Sequence, residues 1–111
     1  MAATPKVPAM SEAQWQRKVR DLCELYGWGP IYHTHDSRRS DAGFPDLTMV
    51  KGDRLVFAEL KKETGKLTPE QRVWLAALVA AGQEATVWRP SDLPRVIRTL
   101  GPRRERATWT P

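Results

Sequence analysis

The stretch "GFPDLTMVKGDRLVFAELKK", Gly43 to Lys62, decides how this chain reads. Two apolar runs with β-branched residues, Asp46 to Lys51 and Arg54 to Lys61, flank the dipeptide Gly52-Asp53. Such runs around a two-residue turn form an antiparallel hairpin, although the usual Asp-Gly order is reversed here. Side chains alternate along a strand, so Phe57, Glu59 and Lys61 share one face while Val56, Ala58 and Leu60 share the other. Asp46 lies six positions before Gly52, and Glu59 six after Asp53. Hairpin pairing therefore makes the two acids cross-strand neighbours, with Cβ atoms about 5 Å apart. Two carboxylates that close repel unless something compensates them. A hard divalent cation is the usual compensator, and magnesium takes one or two carboxylates together with phosphate oxygens. Lys61, on the same face, could hold a water near such a metal or stabilise charge on a phosphate. The bland alternative is a Glu–Lys surface pair on an edge strand. "ELK" alone favours that alternative; the acid matched across the hairpin argues against it.

Outward from the hairpin, Ser11 and Gln14 form a capping box that opens a helix. Trp15, Val19, Leu22, Cys23 and Tyr26 recur at helical spacing, and Gly27 ends the run. "IYHTH" from Ile31 reads as a short strand, and "DSRRSDAG" as a loop. After the loop "KETGK", Thr68-Pro69-Glu70-Gln71 is a second capping box with proline at the first helical position. Trp74, Leu75, Leu78, Val79 and Ala81 continue that helix to Gly82. "EATVWR" is a fourth strand, and "SDLPRVIRTL" a last helix capped by Ser91 or Asp92 and ended by Gly101. The order helix, three strands, helix, strand, helix is that of a small α/β domain. Its mixed sheet contains the hairpin and a fourth strand brought back parallel by the crossover helix. Residues 1–10, with Pro5 and Pro8, read as a disordered lead, and residues 102–111 as a basic, loose tail.

The chain has 111 residues, enough for one domain with its own core. Its single cysteine, Cys23, rules out an internal disulfide, and a reducing, cytoplasmic compartment fits. The longest apolar run, Val73 to Ala81, is far short of the ~20 residues a membrane span needs, so no membrane partner is expected. Lys and Arg number 18 against 13 acids, a net +5 that favours a polyanion such as nucleic acid.

Several polar residues carry two readings. Glu12 shares the apolar stripe of the first helix, three before Trp15, and Gln71 begins that of the second. On spacing alone, both are caps. His33 and His35 form an H-x-H pair whose geometry permits zinc, but no cysteine or third histidine stands nearby, so a phosphate or structural contact is preferred. Arg38 and Arg39 could clamp phosphate or be merely solvated, and Lys62 and Lys66 could touch the backbone of a nucleic acid. Trp74 and Trp88 read as core rather than base-stacking residues, and Cys23 as a structural thiol.

Gly43-Phe44-Pro45-Asp46, Glu59-Leu60-Lys61, "LTPEQRVWLAALVAAG", "VWRPSD" and the opening "SEAQWQRKVRDLCELYGWGPIYH" together resemble the VRR-NUC branch of the PD-(D/E)XK nuclease superfamily. The resemblance runs from about Ser11 to Leu100, within a domain of residues 11–101. It implies a restriction-endonuclease-like αβββαβ core, a mixed four-stranded sheet flanked by helices. It also implies Mg2+- or Mn2+-dependent hydrolysis of DNA phosphodiester bonds to a 3′-hydroxyl and a 5′-phosphate. By the same resemblance Asp46 and Glu59 are metal-binding acids, Leu60 lends its carbonyl, Glu12 completes the metal site, Lys61 is the catalytic lysine, and Gln71 is the helix glutamine near the site. Stand-alone members are small and often encoded by bacteriophages, which points to a homodimer that cuts branched DNA such as Holliday junctions. A flap or nonspecific nuclease, or a non-catalytic basic DNA-binding module, are the alternatives.

Overall fold

Two capping boxes start the two long helices. In the computed structural model, which describes residues 9–35 and 41–111, Ser11 Oγ accepts from Gln14 N, and Gln14 Oε1 accepts from Ser11 N. Helix α1 (Glu12–Leu25) follows, burying Trp15, Val19 and Cys23. Thr68 and Gln71 repeat the motif at the start of α2 (Pro69–Ala80). Strands β1 (Ile31–His33), β2 (Leu47–Lys51), β3 (Arg54–Leu60) and β4 (Glu84–Trp88) form one sheet in the order β1-β2-β3-β4. The first three are antiparallel neighbours, and β4 runs parallel to β3, as the crossover through α2 requires.

The hairpin register pairs Lys51 with Arg54 and Leu47 with Ala58, and Gly52 takes φ +59 in the turn. Alternation then sorts the core. Leu47, Met49, Val56, Ala58, Leu60 and Trp88 pack against α1 and against α3 (Leu93–Leu100). Phe57, Ala85 and Val87 pack on the other face beneath α2. The result is a sheet with helices on both sides, the α/β architecture expected.

Three local details differ from expectation. β1 ends at His33, although Thr34 N still donates to the Asp46 carbonyl in the same register and Thr34 Oγ1 to the Pro45 carbonyl. Neither Ser91 nor Asp92 caps α3 by its side chain. Residues Pro90–Asp92 form a 3-10 turn instead, in which Asp92 Oδ2 accepts from Arg89 N. The C-terminal residues do not hang loose: Ala107 is buried, Thr108 bridges Ala85 beside β4, and Trp109 packs on the α2 layer.

Candidate active site

Asp46 immediately precedes β2, and extending the Leu47–Ala58 pairing by one residue sets it opposite Glu59. Its Oδ2 accepts from Leu60 N at 2.8 Å. The loop that carries it is tied down from two sides. Thr34 donates through Oγ1 to the Pro45 carbonyl at 2.7 Å and through N to the Asp46 carbonyl at 2.8 Å. Gly43, at φ +95, lies so close to α2 that a Cβ there would sit 2.4 Å from the Glu70 carbonyl carbon. No other residue tolerates both that backbone and that approach. Phe44 then stacks edge-on against Phe57 and Trp74.

Glu59 is 3% exposed. Its Oε1 accepts from Gln71 Nε2 at 2.9 Å, while its Oε2 is buried with no hydrogen-bond partner among the described residues. Burial, then the neighbouring Asp46 charge, push the Glu59 carboxyl up to about 9, with Lys61 pulling the other way. A buried acid in this state must hold a proton or gain a cation. The two readings of Gln71 turn out to be compatible. Its Oε1 accepts from Thr68 N at 2.8 Å, closing the capping box, and that leaves Nε2 to donate to Glu59.

Asp46, Glu59, Lys61 and Gln71 line one cleft of about 590 Å³, and Glu12 lines it from the exposed first turn of α1. His35, Asp41, Thr68 and Glu70 line it too. The stem of Lys61 packs beside Gly65, where a Cβ would meet Lys61 Cδ at 3.3 Å. Lys62 and Lys66 are exposed on the 61–66 loop, which Arg89 holds by donating to the Gly65 carbonyl at 2.8 Å. Ser91 N, donating to Glu63 Oε1, pins the same loop. Arg38 and Arg39 lie outside the described residues. The histidines divide: their rings stand 5.3 Å apart, but His35 lines the cleft and His33 a groove against α1. Trp88 is fully buried and Trp74 half-buried. Cys23 lies in the core, its thiol pushed up to about 12 by burial and donating to Met49 Sδ.

Among the described residues no three His, Cys, Asp or Glu side chains are gathered closely enough to hold a metal by themselves. The donor chemistry nonetheless fits a hard divalent ion. Glu59 Oε2 is a buried oxygen without a partner among the described residues, Asp46 is its acidic neighbour, and magnesium ordinarily fills its other positions with water and phosphate.

Sequence reasoning overlooked the roles of Thr34, Thr68 and Glu70. Thr34 and Glu70 act through backbone contacts that no residue pattern announces. Thr68 was legible as a cap, but not as the residue that turns the Gln71 amide toward Glu59.

An acid-bearing hairpin end, a lysine beside it and a glutamine from the crossover helix meet on this mixed sheet, a nuclease-type fold by the family it matches. Residues 7–92 match the VRR-NUC domain, and the chain belongs to that family. A solved structure described as a VRR_NUC domain protein superposes with a TM-score of 0.60 at 22% identity, covering 85% of this chain and 93% of that one. No curated protein sequence matches significantly. No helix among the described residues is long and apolar enough to cross a membrane.

Proposed function

We propose that this chain is a magnesium- or manganese-dependent endodeoxyribonuclease that hydrolyses phosphodiester bonds, selective for branched DNA such as four-way junctions. One observation carries the reading: a buried glutamate, Glu59, with an oxygen that has no partner among the described residues, beside Asp46 in a cleft that Lys61 also lines. Such an arrangement costs folding stability, and perturbed carboxyls of this kind concentrate where chemistry is done. Asp46, Glu59, the Leu60 carbonyl and Glu12 from across the cleft would hold the ion. When bound, it supplies charge on the scissile phosphate and acidifies water. Gln71 keeps Glu59 oriented through its Nε2. Lys61 stabilises the negative charge that grows on the phosphate during in-line attack. Lys62 and Lys66, with Arg38 and Arg39, contact the DNA backbone. A homodimer would place two clefts about a two-fold axis, the symmetry that two nicks in a junction need. A cytoplasm, reducing toward Cys23, is the compartment we assign, the host's where the chain is phage-encoded.

The test incubates purified protein with labelled four-way junction, flap, duplex and single-stranded DNA, each with magnesium, manganese or EDTA. The junction should be cut with metal and survive in EDTA, and Asp46→Ala should lose about 10³-fold in rate, the scale of removing one transition-state contact. Cutting by Asp46→Ala at the wild-type rate would overturn the site. Preference for flap or plain duplex would replace the junction as substrate, and a monomer by light scattering would remove the paired-nick geometry.

A further inference from the structure

The match to the family ends at residue 92, and the residues beyond it carry five arginines against one glutamate, +4 of the chain's +5. Arg104 and Arg106 line grooves with Asp53 and Lys51 at the hairpin end of the sheet, opposite the cleft, Arg98 pairs with Glu105 of the same segment, and Arg103 directly precedes Arg104 in sequence. The acids against them are few. Asp53 is 91% exposed in its side chain and stands 3.6 Å from Arg104, and Glu105 makes a half-exposed pair with Arg98. Exposed pairs of this kind are worth little.

These charges sit on a fixed turn. Arg104 N donates to the Gly101 carbonyl at 3.1 Å and Glu105 N to the Arg98 carbonyl at 2.9 Å. Ala107 N donates to the buried Glu84 at 2.9 Å, and Trp109 N to the Ala85 carbonyl at 2.7 Å. Guanidiniums presented this way contact phosphates with less ordering cost than a floppy tail would. The cleft is the reverse. It gathers Glu12, Asp41, Asp46 and Glu70, with protonated Glu59, around Lys61, a surface that repels phosphate until a cation is bound. Affinity for a polyanion therefore has to come from elsewhere on the molecule. From Arg54 to Glu59 the strand rise separates the two ends by roughly 17 Å, about five base-pair steps of duplex.

We propose that this arginine-rich hairpin end is a second DNA-binding surface, holding the backbone of a duplex arm whose scissile phosphate lies in the cleft. The proposal rests on the DNA reading above and makes the substrate a duplex-bearing DNA rather than a short oligonucleotide.

Anisotropy titrations in EDTA with a labelled duplex of about 24 base pairs, over a salt series, test it. The double variant Arg103→Glu with Arg104→Glu should bind about 10-fold more weakly near 0.1 M salt. Its log Kd against log salt should flatten by about 2, one step per lost phosphate contact. Asp53→Lys should move both quantities the other way, a gain that misfolding cannot imitate, and melting curves check that each variant folds. Equal affinity and slope in all three proteins would overturn the proposal, as would a wild type that binds no duplex. Cleavage with metal is scored separately: a wild type that binds without cutting removes the nuclease reading and leaves this one standing.

Discussion

The sheet buries two glutamates, at opposite ends and on opposite faces, and they are treated in opposite ways. Glu84, at the start of β4, is 6% exposed and fully answered. Arg54 reaches it with two nitrogens at 2.7 and 3.1 Å, and Ala107 N donates at 2.9 Å. Burial alone would raise its carboxyl, but these hydrogen bonds outweigh it and hold the group below the ordinary range. Arg54 is itself braced by the Thr99 carbonyl at 3.0 Å and lies over the Trp28 ring. Among the described residues, Glu59 has an acid for a neighbour, one amide donor and an oxygen without a hydrogen-bond partner. That one buried glutamate is satisfied while the other, among the described residues, is not is what supports our proposal that the second is a binding position.

The pH dependence of the pair has opposite signs. Glu84, with its lowered folded value, contributes stability above the usual carboxyl range, and that contribution is lost as pH falls through the folded value. Glu59 keeps its proton in the folded chain up to about 9 but releases it near 4.5 when unfolded. The folded state therefore binds more protons across that window, and stability falls as pH rises through it.

The comparison can be broken at three places. The largest effect is expected at the satisfied end: Glu84→Gln strands Arg54 and should cost about 3 kcal/mol in denaturant melts. The cleavage rate per folded molecule should stay unchanged. A rate that falls with stability intact would mean the two ends are not independent. Gly43→Ala forces a Cβ into the Glu70 backbone at a positive φ, so about 2 kcal/mol should be lost, and cleavage should fall with it as the Asp46 loop lifts off α2. A variant as stable and active as wild type would contradict that anchoring. Thr68→Ala should cost about 1 kcal/mol as a lost cap, and cleavage should fall further than that stability loss explains. Thr68→Ser should restore both, whereas Ala and Ser variants of equal activity would separate the cap from the site.

How far these ends were legible differs for a physical reason. The hairpin is local: a two-residue turn and period-two alternation fix the register, so setting Asp46 against Glu59 needed only counting. The Arg54–Glu84 pair depends on how β4 slides against β3 after a helical crossover, and no count through a helix gives that register. Glu84 read simply as the first residue of a strand. The same limit hid the tail, whose "ATWT" has no period long enough to announce that Trp109 packs under the sheet edge. Glu12 and Gln71 became candidates through family resemblance, because caps and site residues look alike at a helix start. The structure gives Gln71 both contacts and leaves Glu12 exposed at the cleft's edge.

The claim underlying all of this is that Glu59 is held unsatisfied for a cation, and melting curves with and without manganese test it most directly. At pH 7.5, inside the window where Glu59 costs stability, Glu59→Gln should melt several degrees above wild type in EDTA, since about 1 kcal/mol moves a domain of this size by roughly 4–8 °C. Millimolar manganese should then raise the wild type toward the variant and leave Glu59→Gln where it was. A Glu59→Gln protein that melts below wild type in EDTA, or gains as much from manganese as wild type does, would contradict the account.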